Sequence, residues 1–133
     1  MTQKIFVSFG TADRPFAERL VNDLRALGAE IFYDNPSNRP GYSYDWPLRG
    51  ELEATDALVL VVPEAGSPNA NMAFFEAGAA KASGKRVVAV LPTGDPSRAL
   101  EVPSGIHALA VFDGSRLAPQ ALAKSIVTTL EAA

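Results

Sequence analysis

Ala57-Leu58-Val59-Leu60-Val61-Val62 is aliphatic throughout and closes on Pro63. A strand with one wet face alternates apolar and polar residues. One that is apolar on both sides must be covered on both sides, as in a parallel sheet flanked by helices. The rest of the chain fits that reading. Upstream, Ile5-Phe6-Val7-Ser8-Phe9 is a β-branched and aromatic run ended by Gly10, and Ala29 to Asp34 is a second strand. Downstream, Arg86 to Leu91 and Ile106 to Phe112 are the fourth and fifth.

Helices fill the intervals. Asp13 is placed to cap one, with Pro15 in its first turn; Phe16, Leu20, Leu24 and Leu27 recur at helical spacing and Gly28 stops it. Asp45 or Ser43 can cap a short helix that runs to about Ala54. Met72 to Ser83 is an alanine-rich helix ended by Gly84, and Leu117, Leu122, Ile126 and Leu130 mark the last one. Residues 35–45, 63–71 and 92–103, rich in Pro, Gly, Ser and Asn, are loops. The alternation predicts an α/β fold, one parallel sheet with right-handed crossovers and helices on both faces, in a single domain over 1–133.

Composition narrows the chemistry. The 133 residues are 47% hydrophobic and 20% charged, the balance of an ordinary globular domain. There is no cysteine, which excludes disulfides, thiolate metal sites and a cysteine nucleophile. The single histidine, His107, excludes a histidine-rich metal site and reads as structural. A net charge of −3 offers no basic field for a nucleic-acid backbone. The apolar runs fall short of the roughly 20 residues of a membrane helix, and Met1-Thr2-Gln3-Lys4 is no secretory leader; the cytoplasm is the expected location.

In open α/β sheets ligands gather at the carboxyl ends of the strands. Here those ends are Phe9-Gly10-Thr11, Asp34-Asn35, Pro63-Glu64 and Pro92-Thr93. The informative side chain is Glu76, a lone carboxylate in Met72-Ala73-Phe74-Phe75-Glu76-Ala77-Gly78-Ala79-Ala80. Met72, Ala73, Ala79 and Ala80 share its helix face, and none is charged. A carboxylate so placed beside a strand-end crevice is a candidate functional group. The competing reading points Glu76 to solvent, or makes it an early-turn acid favouring the helix dipole. Ser8 and Ser67 lack a His–Asp constellation, and no glycine-rich phosphate loop is present. Tyr42, Tyr44 and Trp46 suit a binding surface, or fold back over the core.

These residues resemble a known family. Lys4 to Phe9 followed by Asp13-Arg14-Pro15-Phe16-Ala17-Glu18-Arg19-Leu20 is similar to the opening of a bacterial Toll/interleukin-1 receptor (TIR) domain. Gly28 to Asp34 resembles that family's second strand, and Pro40-Gly41-Tyr42-Ser43-Tyr44 its BB loop. Thr55-Asp56-Ala57 resembles the entry to its third strand. Phe74 to Ala80 and then Gly84 to Val88 look like its glutamate-bearing helix and fourth strand. The likeness covers about residues 4 to 92 motif by motif, and the remainder by element order.

The resemblance implies a flavodoxin-like three-layer sandwich around a five-stranded parallel sheet. It also implies an activity found in many bacterial and plant members, cleavage of the nicotinamide glycosidic bond of NAD, in signalling or antiviral defence. Glu76 then matches the catalytic glutamate, and Phe9, Gly10, Thr11, Asp34 and Met72 match the substrate pocket. NAD is substrate rather than cofactor, and no metal is implied. Pro40, Gly41, Tyr42, Tyr44 and Trp46 match the loop that joins TIR domains, so the implied partners are other TIR domains, chiefly copies of this chain. Neither nucleic acid nor a membrane is expected as a partner. Met72 stands where NAD-cleaving members commonly carry tryptophan, and Tyr42 and Tyr44 replace the loop's aspartate and tryptophan. Two alternatives stay open. One is a non-catalytic TIR–TIR module acting through Pro36 to Trp46. The other is a nucleoside 2-deoxyribosyltransferase-like enzyme, whose family also places a glutamate in an E-x-G-x-A helix, as in Glu76 to Ala80.

Overall fold

In the computed structural model of the protein, residues 3–33, 54–64, 66–99, 102, 106 and 108–132 are described. Strands β1 (Lys4–Ser8), β2 (Glu30–Tyr33), β3 (Ala57–Val61), β4 (Arg86–Leu91) and β5 (Ala110–Asp113) form one sheet in the order β2-β1-β3-β4-β5. Every pairing is parallel. This is the flavodoxin-like order, whose direction of winding reverses between β1 and β3.

Helices α1 (Arg14–Ala26) and α4 (Pro119–Ala132) cover one face, and α2 (Ala70–Ala82) covers the other. Strand periodicity divides the two cores. Ile5, Val7, Val59, Val61, Val88 and Val90 pack against Leu20, Leu24, Ile126 and Leu130. Phe6, Leu58, Leu60, Val62, Val87 and Ala89 pack against Ala73, Ala77 and Ala80. All of β3 is buried, as its unbroken aliphatic sequence requires.

Differences from the expected elements have local causes. The fifth strand begins at Ala110 rather than Ile106: the Leu109 N–H reaches the Val87 carbonyl at 2.7 Å, and Ile106 is buried in the α2-side core outside any strand. Apolar character marks burial there and not extended pairing. A short helix α3 (Pro96–Ala99) stands in the expected loop. Asp95 Oδ1 accepts the Ser97 N–H at 3.0 Å, and Pro96 supplies a preset φ, so Asp-Pro-Ser starts a helical turn. A 3₁₀ turn over Thr11–Asp13 leads into α1. Asp13 holds the N-cap position without capping; its carboxylate is taken by a distant arginine. Gly28, at φ +90°, provides the left-handed exit from α1. The short helix expected before Ala54 lies outside the described residues, apart from Ala54 itself, which is helical.

Two turns carry a pH signature. The Ser97 backbone N–H holds the Asp95 carboxyl below its ordinary value, and the Ser115 hydroxyl, then its N–H, does so for Asp113. A depressed folded pKa favours the ionised folded form. The stabilisation is therefore present above the unfolded pKa of about 3.9 and is lost as pH falls through the lower folded value. Thermal melts of wild type should decline more steeply below about pH 4 than those of Asp113→Asn, with the two parallel near neutrality. Parallel curves down to about pH 2 would refute this coupling.

Candidate functional site

The switch point between β1 and β3 builds a tight clasp at the carboxyl edge of the sheet. β1 ends at Ser8, paired with Leu60, and the chain turns at Gly10. A Cβ on Gly10 would lie 3.2 Å from Pro63 Cβ and 3.3 Å from the Pro68 carbonyl oxygen, so the absence of a side chain permits the approach. The Thr11 N–H donates to that Pro68 carbonyl at 3.1 Å, and Asn69 Nδ2 donates to Thr11 Oγ1 at 2.5 Å. Asn69, in the left-handed region at φ 63°, is the residue from which α2 departs. The first strand's turn and the start of α2 are thus one hydrogen-bonded unit.

Arg98 on α3 closes the other side. Its Nη1 lies 3.4 and 3.5 Å from the two Asp13 carboxylate oxygens and donates to the Val62 carbonyl at 3.3 Å. The side chains are 16% and 11% exposed, so neither charge has full access to water. Removing one partner leaves the other desolvated, which costs more than the pair itself contributes. Arg98→Met should lose about 2 kcal/mol in urea melts, and Asp13→Asn a similar amount. The double variant should lose less than the sum. Strict additivity would show that the two groups do not interact.

Glu76 lies two turns into α2, about 9 Å along the axis from Ala70 at 1.5 Å per residue. Ala73, Ala77 and Ala80 are fully buried against the sheet, and their small side chains let the helix lie close. Glu76 belongs to this inner side: it is 3% exposed, whereas its neighbour Phe75 is 52% exposed. The solvent-facing reading is thereby excluded. So is the dipole reading, because the first turn of α2 contains no acid. The carboxylate is not left without a partner. Burying a carboxylate in an alanine helix is costly, which makes it the strongest candidate for chemistry in the described chain. Met72, one turn earlier on the same helix face, is half-buried.

The other candidates divide. Gly10 and Thr11 are drawn against the start of α2, the helix that carries Glu76. Phe9 instead packs with the α1-side core, its ring 6.0 Å from that of Tyr33. Asp34, Pro40, Gly41, Tyr42, Tyr44, Trp46 and His107 lie outside the described residues. Ser67 donates its hydroxyl to the Glu64 carbonyl at 2.5 Å. Sequence reasoning did not find Arg98; it weighed Ser8 only as a nucleophile, and the Ser8 hydroxyl is buried at the end of β1 with no hydrogen-bond partner among the described residues. Among the described residues no three His, Cys, Asp or Glu side chains gather as a metal site. No helix among them is long and apolar enough to cross a membrane.

A family model for the TIR domain matches residues 5–127, nearly the whole chain. The chain belongs to the TIR domain family. No curated protein matches its sequence. The match extends beyond the motif-by-motif likeness, through β5 and into α4 of this TIR domain. Its five-stranded parallel sheet has the flavodoxin-like order. TIR domains commonly interact with other TIR domains, which makes self-association the first partner to test.

Proposed function

We propose that this TIR domain cleaves the bond between nicotinamide and ribose in NAD, with Glu76 as its catalytic carboxylate, when copies of it assemble. The supporting observation is the burial of Glu76 at 3% exposure on the sheet side of an alanine-rich helix that starts at the β1/β3 clasp. As the C1′–N bond breaks, its electron pair leaves with nicotinamide, which departs neutral. Positive charge develops at C1′. A fixed carboxylate stabilises that charge and can hold the ribose hydroxyls, the electrostatic role carboxylates play in glycoside cleavage. Water then adds at C1′ and releases a proton, giving ADP-ribose; attack by an adenine nitrogen of the same molecule gives a cyclic product instead.

Incubation with NAD over a wide range of protein concentration, followed by product chromatography, tests the proposal. Nicotinamide release that rises more steeply than protein concentration is the expected result. Silence at every concentration, including under crowding that drives assembly, would remove the enzymatic reading. Met72, at the position where NAD-cleaving members commonly carry tryptophan, favours a second reading as a non-catalytic TIR–TIR module. That reading keeps self-association and predicts no turnover.

A further inference from the structure

We propose that the cavity between α1 and α4 is a second binding site, for a free α-amino acid with an apolar side chain. The cavity holds about 230 Å³ and opens beside the carboxyl ends of β4 and β5, on the sheet face opposite α2. Part of its wall is apolar: Phe16 and Leu20 of α1, Pro92 after β4, and Leu122 in the first turns of α4. Gly114, after β5, completes the rim; a Cβ there would come within 2.7 Å of Phe16 Cζ, so glycine is what lets the Phe16 ring lie over this end of the strand.

Two charged side chains also line the cavity, the exposed Arg19 and the half-buried Asp23, one turn apart on α1. They do not pair with each other, and neither has an ion pair elsewhere among the described residues. Asp23 Oδ2 is buried without a hydrogen-bond partner among the described residues. A buried acceptor left unmet is costly and calls for an occupant. An isolated carboxylate asks for a cationic donor, and a free guanidinium asks for a carboxylate. A zwitterion supplies both. Its ammonium meets Asp23, its carboxylate meets Arg19, and its side chain fills the space among Phe16, Leu20 and Leu122.

Size agrees. The volume is below the roughly 300–1,000 Å³ of pockets for drug-sized ligands, and suits a molecule of about ten non-hydrogen atoms. A nucleotide is too large for this volume. The site is independent of the NAD reading, since its residues lie on the other face of the sheet from Glu76.

The test is a titration of the isotope-labelled chain with leucine, followed by nuclear magnetic resonance. Saturable shifts confined to Phe16, Arg19, Asp23 and Gly114 are expected. N-acetylleucine, which lacks the ammonium, and leucinamide, which lacks the carboxylate, should each bind about tenfold or more weakly. Asp23→Asn and Arg19→Gln should weaken leucine to the same extent while the amide spectrum stays folded. Three results would overturn the proposal: no saturable shift; equal binding of leucine and N-acetylleucine, the mark of a merely apolar cavity; or undiminished binding by Asp23→Asn and Arg19→Gln.

Discussion

Glu76→Gln should reduce nicotinamide release from NAD by about 10²–10³-fold or more, with the protein still folded. The glutamine keeps the volume that α2 buries and removes only the charge. If the carboxylate acts on the cation developing at C1′, no neutral amide replaces it. Stability separates this from misfolding. Glu76 is 3% exposed, and desolvating a carboxylate works against folding. The carboxylate also has a partner, which the neutral isostere gives up in part, so the variant should keep a cooperative thermal melt, and that melt is run beside the assay. Glu76→Ala should be equally inactive while opening a small void beside Ala73 and Ala80. Both variants should assemble as wild type does. A Glu76→Gln protein that releases nicotinamide at the wild-type rate would falsify the catalytic assignment and leave the fold untouched.

How much of this was legible in the sequence depended on the range of the interaction. The layers were, because they rest on patterns within single segments. The aliphatic run after Asp56 demanded cover on two faces, and β3 is buried along its whole length. Arg86 to Leu91 is the fourth strand residue for residue. The orientation of α2 was not legible from periodicity, since a helix of alanine, phenylalanine and methionine has no polar face to set against an apolar one. Only packing decided that Ala73, Glu76, Ala77 and Ala80 turn inward and Phe75 outward. Asp13 shows the other limit. Before a proline and an amphipathic run it reads as a cap. The structure pairs it with Arg98, far along the chain, and no local pattern weighs a cap against a partner brought in by folding. Asp95-Pro96-Ser97 was the opposite case, a local signal for a helix start inside a stretch dense enough in proline and glycine to read as loop.

Phe6→Ala should be the most destabilising substitution in the described core, by about 3–5 kcal/mol. That is a large share of the roughly 5–15 kcal/mol that holds a domain folded. Phe6 is fully buried on the central part of the sheet and faces α2. The fully buried helix residues in that contact are all alanine, with Phe74 only partly buried beside them, so the bulk of the layer comes from Phe6, Leu58 and Leu60 on the strands. When the ring is removed, the fully buried alanines of the helix are too short to close the hole, and most of the cavity term persists. Leu24→Ala provides the control. Leu24 is as deeply buried, but its neighbours are Leu20, Val21, Ile126 and Leu130, which can shift into the space. Its cost should lie nearer the lower end, about 2–3 kcal/mol. Urea melts of the two variants give the comparison directly. A smaller loss for Phe6→Ala than for Leu24→Ala would mean that α2 settles onto the sheet. Such settling would carry Glu76 with it, so the same preparation should then also lose nicotinamide release.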